Sequence, residues 1–185
     1  MAGTVEVRDP YTAGHQKRVT DLARSIADVM ALSDAAKDGI RMAGIIHDLG
    51  KISVPAEILS KPGKLSEIEY ELIKIHPVAG FEILSNIDFP WPVAAIVRQH
   101  HERFDGSGYP DGLAGDAILI EARILAVADV VEAMASHRPY RASLGIDAAI
   151  REITRFRGTL FDPEVVDACL RILEDGFSFE KNIVK

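Results

Sequence analysis

The sequence predicts an all-α, single-domain fold, and three observations predict it. Apolar residues recur at the helical spacing of about 3.6 residues in segment after segment. The longest irregular stretch, Arg103 to Ile120, is broken by glycines and lacks the alternation of a strand. A chain of 185 residues is long enough to bury one substantial core without disulfide or metal staples, and no linker, repeat or low-complexity tract divides it.

Residues 1 to 8 carry little pattern and read as an N-terminal extension. Asp9-Pro10-Tyr11-Thr12 then gives a helix start with Thr12 or Asp9 as the cap, and His15, Val19, Leu22, Ala23, Ile26, Val29 and Met30 form one apolar stripe. A second helix runs from Ser33 or Asp34 to about Leu49. Its stripe of Ile40, Ala43 and Gly44 ends in His47, beside Asp48, and Gly50 stands where a helix C-cap wants a residue with φ > 0 and would set the aim of Lys51. Lys51 to Lys64, with Pro55, Pro62 and Gly63, reads as a loop holding one short turn. Ser66-Glu67-Ile68-Glu69 has the capping-box form and starts a helix that must stop before Pro77, which leaves His76 at the boundary. Pro77 suits the first turn of the next helix, to about Ser85.

Trp91 to about His101 is a further helix, with Val93, Ile96, Val97 and His100 on one face and the His100-His101 pair at its end. Arg103 to Ile120 contains Gly106, Gly108, Pro110, Gly112 and Gly115; a connection that long in a compact domain is usually functional. Glu121 to about Ser136 is apolar nearly all round, which predicts a central helix with Asp129 in its middle. Two final helices are predicted beyond Arg138-Pro139-Tyr140-Arg141, over about Ile146 to Arg155 and Asp162 to Glu174, with residues 175 to 185 as a tail.

Composition narrows the function classes. A formal charge of −7 argues against a duplex nucleic-acid footprint, so an anionic substrate would need local cations. The single cysteine, Cys169, lies in an apolar helical pattern; it excludes a disulfide framework and a thiolate metal site and fits a reducing, cytoplasmic compartment. The longest apolar candidate, Ile124 to Ser136, is interrupted by Asp129 and Glu132, so no membrane span is expected, and the first residues do not read as a signal peptide.

A lone His-Asp pair is more often a hydrogen-bonded core pair than a metal site. Here, however, His15, His47, His76, His100 and His101, with Asp48 and Asp129, all fall on apolar faces or at helix ends, and the burial of so many polar groups needs a common cause. Metal ions meet that need. The set is too large for one four-coordinate zinc and suits two metals of higher coordination if one carboxylate bridges; Asp48, next to His47, is the natural bridge. His100 and His101 would diverge by about 100° in a regular helix, but at a fraying end both can aim at one centre. Donors of nitrogen and oxygen leave iron, manganese and zinc all open.

His47-Asp48-Leu49-Gly50-Lys51, the spaced His76, His100-His101 with Glu102, Asp105-Gly106-Ser107-Gly108-Tyr109-Pro110, the run from Ala122 to Asp129, and Arg138 to Arg141 together resemble the HD-GYP subgroup of the HD-domain phosphohydrolases, over Asp9 to about Leu173. The resemblance implies an HD-fold helical bundle with a central bimetal site and a long glycine-rich loop. It implies two divalent metal ions, iron or manganese favoured and zinc possible, and hydrolysis of cyclic di-GMP, or a related cyclic dinucleotide, to linear pGpG or onward to GMP. It assigns His15, His47, Asp48 and Asp129 to one metal and Asp48, His76, His100 and His101 to the other. Lys51 would join Asp48 in catalysis and, with Arg138, Arg141 and Tyr109, contact the substrate; Tyr109 would either stack on a guanine or pack on the core.

Members holding three metals carry a glutamate where this chain has Tyr11, which favours two, and His137 replaces an acidic residue before the Arg138 motif. Two cations about 3.5–4 Å apart would lower the pKa of a bridging water and deliver hydroxide in line at phosphorus. A sensor or receiver domain, or a diguanylate cyclase, is the implied partner. Two readings compete: a cyclic-dinucleotide-binding or cyclase-docking module with little turnover, and an oxygen-using di-iron enzyme.

Overall fold

The computed structural model describes residues 14–136 and 144–179. The expected caps Asp9 and Thr12, Tyr11, His137, and the substrate contacts Arg138 and Arg141 lie outside the described residues. Within them the chain forms α1 (His15–Val29), α2 (Asp34–Ile46), a 3-10 turn (Leu49–Ser53), α3 (Ala56–Leu59), α4 (Glu67–Ile73), α5 (His76–Leu84), α6 (Val93–Gln99), a second 3-10 turn (Gly115–Ala117), α7 (Ile120–Ala135), α8 (Ile146–Arg155) and α9 (Pro163–Glu174). Extended pairing among the described residues is limited to two isolated bridges, Asp105 with Ala114 and Arg157 with Phe161.

Local chemistry starts these helices where the sequence places the starts. The Ser33 hydroxyl accepts from the Ala36 amide at the head of α2, and Ser66 and Glu69 close a reciprocal capping box on α4. Asp162 accepts from the Glu164 amide at 2.8 Å and from Arg123 at 2.7 Å, which caps α9 and ties it to α7. The apolar stripe of α1 (Val19, Leu22, Ala23, Ile26) is fully buried, and α7 buries Ala122, Ile124, Leu125, Val127, Ala128 and Val131. Helix α7 is central as expected, packed by α1, α2, α6, α8 and α9. A leucine buried as Leu22 is would cost about 2–5 kcal/mol to truncate to alanine. Cys169 belongs to this core, and burial pushes its thiol up to about 12, which keeps it a thiol near pH 7.

Two expectations about the second helix are corrected. Helix α2 ends at Ile46 and the chain tightens into the 3-10 turn instead of continuing to Leu49. Gly50 does not take a positive φ. Its requirement is steric: a Cβ there would lie 1.9 Å from the His76 carbonyl oxygen and 2.5 Å from the Gly80 nitrogen. The glycine lets the turn lie directly on the first turn of α5, and this contact sets Asp48 and Lys51 beside His76. The Lys51 to Lys64 loop also holds more structure than one turn, since α3 follows the 3-10 turn.

Candidate metal centre

Residues far apart in sequence meet at one buried point. His15 opens α1, His47 and Asp48 follow α2, His76 opens α5, His100 and His101 follow α6, and Asp129 comes from the middle of α7. Ring centroids run as a chain of neighbours: His15 to His47 at 5.6 Å, His47 to His100 at 5.2 Å, His100 to His76 at 5.3 Å, and His76 to His101 at 4.9 Å. The adjacent pair, His100 and His101, lies 4.1 Å apart beyond the end of its helix, so the fraying terminus aims both rings inward.

Potential ligand atoms separate into two groups, His15 with His47 and Asp48, and His76 with His100 and His101; within each they lie within 4.8 Å of one another. Asp48 stands between the groups. Its Oδ1 is 3.6 Å from His76 Nε2 and its Oδ2 is 3.6 Å from His47 Nε2. Asp129 Oδ1 lies 3.2 Å from His15 Nε2. Lys51 Nζ reaches Asp48 Oδ2 at 2.8 Å.

Three imidazoles are oriented by one device. Nδ1 of His47 donates to Gly44 O at 2.8 Å, Nδ1 of His76 to Ile73 O at 2.7 Å, and Nδ1 of His100 to Val97 O at 2.6 Å. Each acceptor is a carbonyl in the last turn of a helix (α2, α4 and α6), one of those a helix leaves without an internal donor. With Nδ1–H so engaged, Nε2 keeps its lone pair and points into the centre. Burial pushes His76 down to about 4 and His100 down to about 3, so both are neutral near pH 7. Their Nε2 atoms nevertheless face each other at 3.3 Å, two acceptors with no proton to share. His47 Nε2 is buried with no hydrogen-bond partner at all. Converging lone pairs in a buried space are stable only with a cation among them, so the residues present fit a metal. Three helix C-termini ending here add the negative ends of their dipoles.

The His15 side is built differently. His15 Nδ1 contacts Glu132 Oε2 at 2.5 Å, and Glu132 Oε1 accepts from Arg18 Nε at 2.7 Å. Burial would lower the His15 pKa, but the Asp129 and Glu132 carboxylates raise it to about 9. Burial likewise opposes the charged form of Asp48, yet the Lys51 ammonium and the imidazoles of His47, His76 and His15 hold its carboxyl well below the usual range. Asp129 is held low against burial by its hydrogen bond from His15.

The glycine-rich loop is braced against the centre. Glu102, 2% exposed, accepts from the Asp111 amide at 2.7 Å and the Leu113 amide at 3.1 Å. Gly108 passes so close that a Cβ would lie 2.3 Å from the Arg103 nitrogen. Tyr109 donates its amide to His101 O at 3.3 Å and stacks its ring on His101, centroids 4.9 Å apart and planes 27° from parallel. Burial, the largest cause, pushes its phenol above the ordinary range. The tyrosine thus forms the edge of the centre.

All seven residues expected to hold metal are brought together, with Lys51 and Tyr109 adjoining them. Sequence reasoning missed Glu132 and Arg18 as supports of His15 and the bracing role of Glu102. A signal existed: Glu132 follows Asp129 by three positions and Arg18 follows His15 by three, so each shares a helix face with a residue already singled out.

A family model described as the HD domain matches residues 1–165. The chain is 47% identical over 173 residues, 92% of its length, to the cyclic di-GMP phosphodiesterase response regulator RpfG of Xanthomonas campestris. It is 44% identical over 169 residues, 90% of its length, to a cyclic di-GMP phosphodiesterase of Thermotoga maritima. It spans 46% of the length of each of these relatives, about half. Among solved structures, the cyclic GMP-AMP specific phosphodiesterase V-cGAP3 of Vibrio cholerae matches with a TM-score of 0.69 at 20% identity, covering 88% of this chain and 44% of that one, a likeness of fold. No helix among the described residues is long and apolar enough to cross a membrane. With a family match over most of its length and relatives 44% and 47% identical to it, the chain belongs to the HD-domain family.

Proposed function

We propose that this chain is the hydrolytic domain of a metal-dependent cyclic dinucleotide phosphodiesterase that opens cyclic di-GMP to linear pGpG. The observation that carries the reading is the convergence of imidazole lone pairs on both sides of Asp48: His76 and His100 Nε2 face each other at 3.3 Å, and buried His47 Nε2 has no partner. The names of the two relatives support the substrate.

In this reading His15, His47, Asp48 and Asp129 hold one divalent ion and Asp48, His76, His100 and His101 the other, with iron or manganese suiting the all-nitrogen-and-oxygen donor set. When bound, such ions supply Lewis acidity at a phosphoryl oxygen and bring the pKa of a water toward neutrality. The chain's own residues do the rest. Asp48 keeps the Lys51 ammonium at the centre through their 2.8 Å contact, and Lys51 donates to a phosphoryl oxygen as negative charge builds there. Water adds to phosphorus, the bond from phosphorus to the ribose 3′ oxygen breaks, and that oxygen takes the proton to become a hydroxyl, leaving a 5′ phosphate. Tyr109 borders the substrate. Arg138 and Arg141 are assigned to phosphate contact by motif position, and a sensor or receiver domain or a diguanylate cyclase to partnership, on the same ground.

Purified protein incubated with iron(II) or manganese(II) and cyclic di-GMP, with and without oxygen, tests the reading by chromatography of the products. Linear pGpG formed without oxygen is expected. Intact cyclic di-GMP under every condition, or product formed only with oxygen, overturns it.

A further inference from the structure

Next to the centre lies a groove of about 590 Å³ between α4, α5 and the glycine-rich loop, bordered by Glu71, Lys74, Val78, Glu82, Tyr109 and Pro110. None of these except Tyr109 has a part in the chemistry above. We propose that this groove takes one guanine base of the dinucleotide and reads its Watson–Crick edge with Glu71 and Lys74. The inference rests on the functional reading above and adds the base.

Position argues for it first. Tyr109 is common to both spaces: its ring stacks on His101 at 4.9 Å, and the Lys74 ammonium lies 5.7 Å from its centroid. Val78 follows His76 by two residues on α5, so the helix that opens with an imidazole of the centre continues as the groove wall. A nucleotide with its phosphate at the centre therefore has its base beside the groove, one sugar away. The volume falls within the roughly 300–1,000 Å³ of small-molecule sites and leaves room for a purine.

Chemistry argues for it second. Lys74 Nζ and Glu71 Oε1 are 2.6 Å apart, which sets a donor and an acceptor side by side. Lys74 is also 5.0 Å from the Tyr70 ring, so its ammonium is steered between two tyrosines. Guanine presents the O6 acceptor followed by the N1–H and N2–H donors on one edge. The ammonium takes O6 while the two carboxylate oxygens take the adjacent donors. Adenine offers one donor beside a lone pair there, and the carboxylate would face that lone pair. Val78 and Pro110 supply apolar surface for the base faces, the usual partner of a base read along its edge.

The test uses manganese-loaded protein and titration calorimetry with the bis-phosphorothioate analogues of cyclic di-GMP and cyclic di-AMP, chosen to slow turnover. Wild type is expected to bind the guanine analogue about tenfold more tightly. Glu71→Gln and Lys74→Met should each remove about three- to tenfold of that preference with metal content unchanged, the size of a solvent-accessible hydrogen bond. Equal affinity for the two analogues, a preference for adenine, or an unchanged ratio in both variants overturns the assignment. If those results accompany hydrolysis of cyclic di-GMP, only the base assignment falls. If wild type leaves cyclic di-GMP intact, the functional reading falls and takes the base assignment with it.

Discussion

The two halves of the centre share one device for orienting imidazoles, a backbone carbonyl that holds His47 as well as His76 and His100, and they differ at His15. In the half formed by His76, His100 and His101, the first two rings are fixed by carbonyls from the ends of α4 and α6, neutral groups within three residues of each histidine. In the other half, His15 is fixed by the Glu132 carboxylate, 117 residues away, with Arg18 on its second oxygen. Helix polarity explains the difference. A histidine at or just past a helix C-terminus finds spare carbonyl acceptors, and His76, although it opens α5, reaches back to the last carbonyl of α4; His15 stands at the first position of α1, where a helix offers spare amide donors instead. An imidazole there needs an acceptor from elsewhere, and α7 provides it. The lesson is that His47, His76 and His100 are pre-oriented by local backbone, while His15, and with it its half, depends on the docking of α1 against α7.

Asp48, which touches both halves, gives the largest expected effect. Asp48→Ala should leave less than one metal per chain by elemental analysis and abolish measurable hydrolysis, because each half loses a ligand. Retention of two metals would show that the halves bind independently. Lys51→Ala should preserve metal content and lower kcat on the order of 10²–10³, as for loss of one transition-state donor; an unchanged kcat would remove Lys51 from the chemistry.

Glu132→Gln bears on the asymmetry itself. It should weaken metal binding about 10–100-fold in the His15 half alone. Titration of the metal-free protein would then show one tight and one weakened equivalent where wild type shows two tight ones. Equal weakening of both would erase the distinction drawn between the halves. The smallest effect falls on the loop that covers the other half. Glu102→Ala leaves two partly buried amides, those of Asp111 and Leu113, without their charged acceptor, which should cost about 1–3 kcal/mol in denaturant unfolding. It should also speed proteolysis within residues 105–113, and an unchanged midpoint and cleavage rate would show that the brace is dispensable.

Much of the architecture was legible because it is local. The capping box at Ser66, the serine cap at Ser33, the Asp162-Pro163 start and the apolar face of each long helix depend on residues within a few positions, and each reappears in the fold. The histidines were legible as a set because polar groups on apolar stripes advertise a shared burial. Gly50 was misread since the local pattern of a glycine after a helix suggests a left-handed cap, whereas its neighbour in space is the backbone of His76. Glu132 and Glu102 carry no local mark either; each is an acidic residue in a helix or turn until the segment that it serves is placed beside it.

The order of residues alone determined an all-helical chain, seven ligand-type side chains on buried faces, and a glycine-rich stretch that could not be helical. Helical periodicity and capping act over one or two turns, so they can be read along the chain. Only the tertiary structure decided that Asp48 lies between two groups of imidazoles, that His15 leans on a carboxylate and His100 on a carbonyl, and that Tyr109 closes the edge over His101. Those choices depend on how α1, α5, α6 and α7 pack, and packing joins positions that no pattern along the chain connects.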